Sequence, residues 1–288
     1  MKRSDFRFIE RLRVRWSEVD MQKIVFNGHY LMYFDTAMAG YWRALAMPYE
    51  ATMQQLQGDL YVRKATLEYL GSARYDDVCE VGMRCVRVGN SSITFTAALF
   101  RGENLLVHGE LVYVFADPAT QTSRPVPPAL RELLADFEAG QAMYDVTVGG
   151  WAELGAATQA LRFEAFCQEP RIAAELQIDA ADATAVHALA RNRMGRAVAT
   201  GRLLTAQPGV GQLGRMAVCQ VLRGSGVGRA VLAALVDAAR RRGDREVLLH
   251  APSNAVAFYL GAGFSARGPV FDVAGIAHQA MAAPLGRS

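Results

Sequence analysis

Apolar residues recur along residues 28–47 at the spacing of one face of a helix about five turns long. The positions on this face are Tyr30, Phe34, Ala37, Tyr41 and Leu45. Pro48 follows directly, and a proline cannot continue a helix because it has no amide donor. The pattern therefore predicts one long amphipathic helix in the first half of the chain.

Apolar and polar residues alternate in several segments around this helix, which is the pattern of half-buried strands. The predicted strands are residues 11–16, 60–70, 78–88, 92–101 and 105–115. The last three strands are separated by short turns, Gly89-Asn90 and residues 102–104, that suit hairpins. One long helix with a run of antiparallel strands predicts an α+β layer pair, in which the helix packs on the sheet.

The second half mixes helical and strand patterns. The predicted helices are residues 151–166, 183–190, 226–242 and 254–260, and the predicted strands are residues 196–204, 213–221, 246–250 and 278–283. Glycines at 261 and 263 end the last of these helices. This order predicts an α/β domain, a mixed sheet flanked by helices.

A proline-rich, turn-forming stretch, residues 117–128, follows the strands of the first half. A short predicted helix at 129–141 comes after it. With 288 residues, the chain is long enough for two domains. We predict a first domain of residues 1–145 and a second of residues 146–288.

The composition is that of an ordinary globular protein, and its net charge of +3 is too small to indicate nucleic acid as the main partner. The charged N-terminus lacks the apolar core of a secretion signal, and no segment has the pattern of a membrane span. Cys79, Cys85, Cys167 and Cys219 form no C-x-x-C pair, which favours reduced thiols over a metal or redox site. We therefore expect a cytoplasmic protein without a bound metal.

Asp20 follows the first predicted strand and precedes the long helix by a short connection. Backbone amides at a helix start have no helical partner and stabilise an oxyanion, and a nearby carboxylate supplies a base or nucleophile. Together they are a minimal apparatus for hydrolysis of an ester or thioester. An Asp before a helix also suits a cap or turn, so the residues alone leave both interpretations open. The neighbouring Glu18 is expected at the surface.

Residues 17–37 (SEVDMQKIVFNGHYLMYFDTA) resemble the signature of the 4-hydroxybenzoyl-CoA thioesterase family of hotdog-fold enzymes. Residues 67–81 (LEYLGSARYDDVCEV) are similar to the family's second recurring segment. The resemblance covers about residues 8–140. It implies a long helix wrapped by an antiparallel sheet, metal-free hydrolysis of acyl-CoA thioesters, and a homodimer or homotetramer with active sites at the subunit interface.

By this resemblance Asp20 is the catalytic carboxylate, acting as nucleophile or as general base on water. Gly28 and His29 stand where amides at the helix start would polarise the thioester carbonyl, and Asn27 would position water or substrate. The chain departs from the family pattern at Lys23, where many members have glycine, and at Asn27, where some have histidine. These departures bear on the loop beside the site and on substrate preference.

A glycine-rich turn, residues 223–228 (RGSGVG), lies between a predicted strand and a predicted helix. Glycines expose backbone amides without side-chain obstruction, and the helix dipole favours an anion there, so the turn suits a pyrophosphate. The spacing matches neither a P-loop nor the dinucleotide-binding fingerprint. A purely structural turn is the alternative interpretation.

Residues 215–218 (RMAV), the R-x-x-G-x-G pattern at 223–228, and residues 254–264 (NAVAFYLGAGF) resemble the GCN5-related N-acetyltransferase superfamily. The resemblance covers about residues 148–285 and implies direct transfer of an acyl group from CoA to a neutral amine. The residues that it assigns to the acyl group and the cofactor are Met216, Val218, Arg223, Gly224, Ser225, Gly226, Val227, Gly228 and Asn254.

By the same resemblance Tyr259 would protonate the departing thiolate. A tyrosine of ordinary pKa, about 10, is a suitable acid for a thiolate of pKa about 8.5 or above. Packing as a core aromatic is the alternative for Tyr259. The general base is left open among Glu169, His250 and His278. Pro170 after Glu169 departs from the usual Glu-Gln of this branch and bears on substrate placement.

The two halves resemble different folds that use coenzyme A. The leading hypothesis is a bifunctional enzyme with acyl-CoA and acetyl-CoA as substrates, an amine as acceptor, and no tightly bound cofactor. The alternative is one active domain joined to a non-catalytic module for CoA binding or dimerisation. Nucleic acid and membrane are not expected partners.

Overall fold

The computed structural model describes residues 1–168, 178–273 and 275–286 of the chain. The chain divides into two compact units, Met1–Met143 and Tyr144–Ser288. This division lies two residues before the boundary predicted between residues 145 and 146. The reason is that Tyr144–Gly149 is a strand, and it pairs with a strand of the second unit.

The first unit is one antiparallel sheet with a long helix packed on it. Its strands are β1 (Phe8–Arg13), β2 (Asp59–Tyr69), β3 (Val78–Val88), β4 (Ser92–Arg101) and β5 (Asn104–Ala116). They lie in the spatial order β1-β3-β4-β5-β2, so β1 and β2 are the edges. Its helices are α1 (Asn27–Ala44), α2 (Tyr49–Leu56) and α3 (Pro128–Glu138).

The apolar face predicted for α1 is the face that packs on the sheet. All five of its predicted positions are at most 2% exposed. The ring of Tyr41 contacts that of Phe95 on β4, with centroids 5.5 Å apart. Phe95 and its alternate neighbours Ile93, Ala97 and Leu99 are fully buried. Burial of these rings and aliphatic groups drives the helix onto the sheet. The α+β prediction for the first half is confirmed.

The second unit is a mixed sheet flanked by helices. Its described strands are β6 (Tyr144–Gly149), β7 (Val186–Asn192), β8 (Ala197–Gln207), β9 (Val210–Val218), β10 (Glu246–Pro252), β11 (Ser265–Val273) and β12 (Ile276–Pro284). They lie in the order β11-β12-β10-β9-β8-β7-β6. The described helices are α4 (Trp151–Arg162), α5 (Val227–Arg242) and α6 (Val256–Leu260). The α/β prediction for the second half is confirmed.

Strands β9 and β10 pair in parallel, but only over their first residues. Glu246, Val247 and Leu248 lie opposite Val210, Gly211 and Gln212. Beyond these positions the two strands are not paired with each other. A parallel pair that separates leaves backbone donors and acceptors without partners on the facing edges. A gap therefore opens in the sheet towards the carboxyl ends of β9 and β10.

A β-bulge in β9 lies beside this gap. Thr200 of β8 lies opposite Ala217, whereas Arg202 lies opposite Gly214, so two residues of β9, Arg215 and Met216, lie between these pairs against Gly201 alone on β8. One of them, Arg215, has a φ of 51°, in the left-handed region that residues other than glycine seldom adopt. Bulges often change the direction of a strand next to a functional site, and this bulge changes the direction of β9 where it borders the gap.

Several predicted elements differ from those observed. Residues 183–190 were expected as a helix, but Val186–Asn192 is strand β7, paired with both β6 and β8. A short apolar run fits a buried strand and a buried helix equally well, and here the sheet neighbours decide. The predicted strand at 213–221 ends at Val218, because a 3-10 turn, Gln220–Leu222, follows. Helix α2 and strands β6 and β11 were not predicted.

Within the described residues, no helix combines the length and the apolar character needed to cross a membrane. Cys79, Cys85 and Cys219 are free thiols. Burial raises the pKa of Cys79 to about 11 and that of Cys85 to about 12. These three cysteines are therefore poor nucleophiles, because burial raises the pKa of each thiol and disfavours the nucleophilic thiolate.

Candidate functional sites

Asp20 opens a tight loop that leads into α1. Its amide donates to the Ile24 carbonyl at 2.9 Å, and the Lys23 amide donates to the Asp20 carbonyl at 3.0 Å. Val19 and Val25 form a bridge that closes the loop. Lys23 has a φ of 61°, which is a conformation that glycine adopts without strain. The loop therefore has, at Lys23, the backbone conformation expected of the glycine that many family members have at this position.

The carboxylate of Asp20 is half-buried and held in one orientation. Its Oδ1 accepts a hydrogen bond from the Gln22 amide at 2.8 Å. In the described ranges 1–168, 178–273 and 275–286, no group donates to Oδ2. Burial raises the pKa of Tyr30, and the Asp20 charge adds to the rise, so the two side chains lie within electrostatic reach. One carboxylate oxygen is fixed and the other is available to a substrate or water.

The start of α1 leaves two backbone amides for a ligand. The Phe26 amide donates to the Glu18 carbonyl, and the His29 amide donates to the Phe26 carbonyl, both at 2.9 Å. The amides of Asn27 and Gly28 have no acceptor within the described part of the chain. The Tyr69 hydroxyl donates to the Asn27 carbonyl at 3.2 Å. Of the two residues expected as oxyanion donors, Gly28 keeps an available amide and His29 does not.

The His29 side chain packs at the helix surface. Its Nδ1 lies 3.3 Å from Met32 Sδ, and its ring centroid lies 6.0 Å from that of Phe26. The side chain is half-buried. His29 therefore contributes to the lining beside the α1 start through its ring, whereas its amide holds the first turn.

Glu18 is not a surface residue, which corrects the sequence-based expectation. Its side chain is only 12% exposed. Its Oε2 accepts from the Tyr33 hydroxyl and from the Arg15 amide, both at 2.7 Å. Burial and this hydrogen bond raise the pKa of Tyr33. Sequence could not reveal this contact, because it depends on how the Asp20 loop folds back against α1.

The glycine turn between β9 and α5 has the geometry of an anion-binding loop. Gly224 and Gly226 have φ values of 84° and 94°. The Ser225 amide and hydroxyl both bond to the Leu222 carbonyl, at 3.2 and 2.7 Å. The turn amides that have no acceptor within the described residues are those of Gly224, Gly226, Val227 and Gly228. Such a run of amides at a helix start forms a cradle for phosphate oxygens.

Close packing brings this cradle against the end of β9. A Cβ placed on Gly228 would lie 3.0 Å from Val218 Cγ2, so glycine permits the helix to approach the strand. Met216 and Val218 are half-buried at the edge of the gap. Arg223 is exposed at the turn, and no acidic residue lies in the first turn of α5. The predicted cofactor residues of this segment therefore lie around one end of the gap.

Tyr259 lies on α6, after the turn that contains Asn254. Asn254 is exposed in the short turn Ser253–Ala255 at the end of β10. The Tyr259 ring lies between Phe258 and Phe264, with centroids 5.0 and 5.8 Å away. Burial raises the pKa of Tyr259 to about 12. The hydroxyl is therefore protonated throughout the neutral range, as a proton donor must be.

A charge network that runs from the core to the surface supports the β9 bulge. Asp179 accepts from Arg202 at 2.7 Å and from Arg215 at 3.1 Å. Asp182 accepts from Arg162, which is fully buried, at 2.9 Å. The hydrogen bond from Arg202 lowers the pKa of Asp179 to about 2. The network was not predicted from the sequence, because its members come from four separate segments of the chain.

The two described candidates for the general base share one aromatic neighbour. His250 and His278 both lie beside Phe271, with ring centroids 5.0 and 6.1 Å from it. Glu169 lies outside the described residues, as does Pro170. Among the described residues, no group of three or more His, Cys, Asp or Glu side chains could hold a metal ion.

Family models match both units. The thioesterase superfamily model matches residues 22–108, and the acetyltransferase (GNAT) domain model matches residues 156–285. The chain belongs to the thioesterase superfamily through its first unit, and its second unit contains a GNAT domain. Both predicted resemblances are confirmed, and with them the hotdog and GNAT fold classes.

Individual relatives match one unit each. The acyl-CoA thioester hydrolase YbgC of Escherichia coli is 27% identical over 44% of this chain and 92% of its own length. A candidate esterase of Aquifex aeolicus is 32% identical over 33% of this chain and 73% of its own length. Among solved structures, a candidate N-acetyltransferase from Lactobacillus plantarum is 25% identical over 50% of this chain and 99% of its own, with a TM-score of 0.47.

Proposed function

We propose that the chain is a bifunctional enzyme acting on CoA thioesters. The first unit hydrolyses an acyl-CoA, and the second transfers an acetyl or acyl group from CoA to an amine. The observation that carries the proposal is that each unit contains both a helix start with available amides and a suitable acid or base. Asp20 accompanies the α1 start, and Tyr259 lies on α6, in the unit that contains the α5 start.

In the first unit, the amides of Asn27 and Gly28 would accept the negative charge that develops on the thioester oxygen. The α1 dipole adds to this stabilisation. Asp20 would then attack the carbonyl carbon through Oδ2 or remove a proton from the attacking water. The hydrogen bond from Gln22 holds the carboxylate in place for either role. The thiolate of CoA departs as the C–S bond breaks.

In the second unit, the cradle at residues 223–228 would bind the pyrophosphate of CoA, and Asn254 would line its pantetheine arm. The edge of β9 that faces the gap, near Met216 and Val218, would hold the acyl group. A neutral amine would attack the thioester carbonyl, and Tyr259 would give its proton to the departing thiolate. Its raised pKa keeps the hydroxyl protonated up to alkaline pH.

The proposal includes a homodimer or homotetramer formed through the first unit. Large apolar side chains are exposed around Asp20, the α1 start and the edge strand β2, which is unusual for a monomer. They are Trp16, Met21, Phe26, Leu31, Met32, Val62, Tyr69, Leu70 and Tyr75. We expect light scattering coupled to size exclusion to give at least twice the mass of one chain. A monomer at micromolar concentration would contradict this part of the proposal.

The function of the E. coli relative supports hydrolysis in the first unit, because its name is that of an acyl-CoA thioester hydrolase. The GNAT match supports acyl transfer in the second unit. Cytoplasmic location and the absence of a nucleic-acid partner stay predictions from the sequence.

One assay separates the two activities. A panel of acyl-CoAs is incubated with the full chain, and free thiol is measured with and without a panel of amines. Thiol release without amine reports the first unit, and additional release that depends on amine reports the second. Release of one kind alone would favour the alternative, one active domain with a non-catalytic CoA-binding or dimerisation module. No release of either kind would reject the proposal.

A further inference from the structure

We infer that His278 is the general base of the second unit, the group that removes a proton from the attacking amine. This inference rests on the proposed acyl transfer. Three independent features carry it: the tautomer of the imidazole, its level along the sheet, and the face of the sheet on which it lies.

The tautomer of His278 is fixed by a backbone contact. Its Nδ1 lies 2.8 Å from the Ile276 carbonyl oxygen. A carbonyl oxygen only accepts, so Nδ1 is the nitrogen that carries the proton. In the neutral ring the lone pair is then on Nε2, which has no donor among residues 1–168, 178–273 and 275–286. The side chain is half-buried, so the orientation in which Nε2 can accept a proton is restricted.

The strand pairings put His278 level with the acyl-binding end of β9. On β10, Leu248 lies opposite Gln212 of β9, and Pro252 lies opposite His278 of β12. Pro252 is four residues beyond Leu248, and Met216 is four residues beyond Gln212. The β9 bulge accounts for one of the residues after Gln212, so Ala217, between Met216 and Val218, lies nearest the height of His278, on the opposite side of β10. The Ser253 hydroxyl donates to the Ala277 carbonyl at 2.9 Å and holds β12 to the turn that contains Asn254.

His278 lies on the opposite face of the sheet from Tyr259. Val247, Leu249 and Ala251 of β10 are buried in one cluster with Tyr259 and the apolar face of α5. Side chains alternate along a strand, so His250 and Pro252 point to the other face. His278 pairs with Pro252 and shares that face. Direct transfer requires the amine and the CoA thiolate to occupy different sides of the thioester, and the base and the acid meet this requirement.

Strands β10 and β11 supply the ring and charged neighbours of His278. Phe271 of β11 lies beside it, and His250 of β10 contacts the same ring. Asp272, the neighbouring charged residue of β11, accepts from the Gly275 amide at 2.8 Å. The ring of Phe271 thus packs beside the half-buried imidazole.

The proposed step balances in protons and electrons. Nε2 of His278 takes a proton from the protonated amine, and the freed nitrogen lone pair forms the N–C bond. The tetrahedral intermediate loses a second proton to water and collapses, which breaks the C–S bond. The sulfur keeps the electron pair and receives the proton of Tyr259, which solvent restores.

The test compares His278→Gln with the unchanged full chain. Glutamine retains an N–H for the Ile276 carbonyl but has no basic nitrogen. We expect amine-dependent thiol release to fall about a hundredfold in kcat, while the Kd for acetyl-CoA stays within about twofold. The pH dependence of kcat/KM between pH 6 and 9 should flatten. In His278→Ala, added imidazole should restore part of the rate. His108→Gln, in the first unit, should leave transfer unchanged.

The outcomes separate this inference from the proposed function. Normal transfer by His278→Gln, or a pH profile equal to that of the unchanged chain, would overturn the role of His278 alone. A large loss in His250→Gln with none in His278→Gln would move the role to the other histidine. An unchanged chain that releases no thiol in response to any amine would overturn both the transfer activity and its base.

Discussion

The starts of α1 and α5 share a backbone feature but have opposite electrostatic surroundings. Both present amides without acceptors within the described residues, and neither has an acidic residue in its first helical turn. The α1 start lies beside Asp20, whose charge reaches Tyr30 in the first turn. The α5 start has exposed arginines before and within its first turn, Arg223 and Arg229.

Because of this difference in charge, we expect the two helix starts to stabilise different kinds of anion. A standing carboxylate beside the α1 start repels a permanent anion and suits charge that appears only during a reaction. Arginines beside the α5 start favour a permanent anion such as a pyrophosphate. The backbones of the two helix starts also differ. Two glycines of positive φ curve the turn before α5 into a cradle for an anion, whereas Phe26, which precedes α1, has a φ of −58°. The neighbouring residues thus determine what a helix start does.

Removing the carboxylate beside α1 should have the largest effect. We expect Asp20→Asn to lower amine-independent hydrolysis of acyl-CoA about a thousandfold, because the variant loses the base or nucleophile. The amide of Gln22 can still bond to the remaining side-chain oxygen, so the loop should keep its shape. The measurement is kcat/KM for thiol release across the acyl-CoA panel.

Glu132→Gln, an exposed carboxylate on α3, is the matched control and should hydrolyse at the unchanged rate. Amine-dependent release by the second unit should also be unaffected in Asp20→Asn. Full hydrolysis by Asp20→Asn on every acyl-CoA would show that the carboxylate takes no part in the mechanism. It would also contradict the idea that Asp20 makes the α1 start suited to hydrolysis.

The next effect concerns the acid of the second unit. Tyr259→Phe keeps the ring between Phe258 and Phe264 and removes only the hydroxyl. We expect amine-dependent turnover to fall about a hundredfold, with the Kd for acetyl-CoA unchanged within about twofold. Isothermal titration and steady-state rates provide the two measurements. Unchanged turnover with a good amine acceptor would show that the tyrosine serves packing alone.

The sequence predicted the first unit better than the second for a physical reason. Residues 78–88 and 92–101 were predicted with the bounds that β3 and β4 have, because their strands alternate and end at clear turns. In the second unit, β7 has buried residues on both faces, so its pattern shows no alternation. Edge strand β11 is almost wholly exposed and has no apolar face to reveal it.

For the sites, the sequence predicted residues that are close together in the chain. Gly224 and Gly226 were expected to expose amides, and both have the positive φ that this requires. Contacts that depend on the fold were missed. Tyr33 holds Glu18, and Asp179 holds Arg215 of the bulge. The hydrogen bond from the His29 amide to the Phe26 carbonyl also depends on the backbone geometry at the start of α1, which residue types alone do not specify.

A smaller effect tests the cradle at α5. Gly226→Ala should weaken acetyl-CoA binding about tenfold, because a side chain at φ 94° strains the turn and displaces its amides. Gly195→Ala is a control matched for strain, since Gly195 has a φ of 77° in the turn between β7 and β8. Neither Cβ would meet an atom within 4 Å. Both should lose about 1 kcal/mol of stability.

Calorimetric titration of acetyl-CoA against both variants, with their urea midpoints, distinguishes strain from binding. Equal affinities for Gly226→Ala and Gly195→Ala would contradict a cradle at residues 223–228. A selective loss in Gly226→Ala, with hydrolysis by the first unit retained, would establish that the cradle contributes to acetyl-CoA binding independently of the first unit.

The smallest expected effect extends the comparison to stability at alkaline pH, through one buried tyrosine in each unit. Burial raises the pKa of Tyr113 and of Tyr259 to about 12, above the value of about 10 in an unfolded chain. A raised pKa means that the stabilisation is fully present below pH 10 and is lost as the pH rises towards 12. Each tyrosine should therefore lower the free energy of unfolding by about 1 kcal/mol between pH 9 and pH 11.

Tyr113→Phe and Tyr259→Phe should each remove that share of the pH dependence from the unit that contains it, as measured by urea unfolding at several pH values. The first unit should remain the more sensitive of the two, because burial also raises the pKa of Tyr30, Tyr33, Tyr41 and Tyr49. Equal alkaline sensitivity of the two unfolding transitions would contradict this asymmetry.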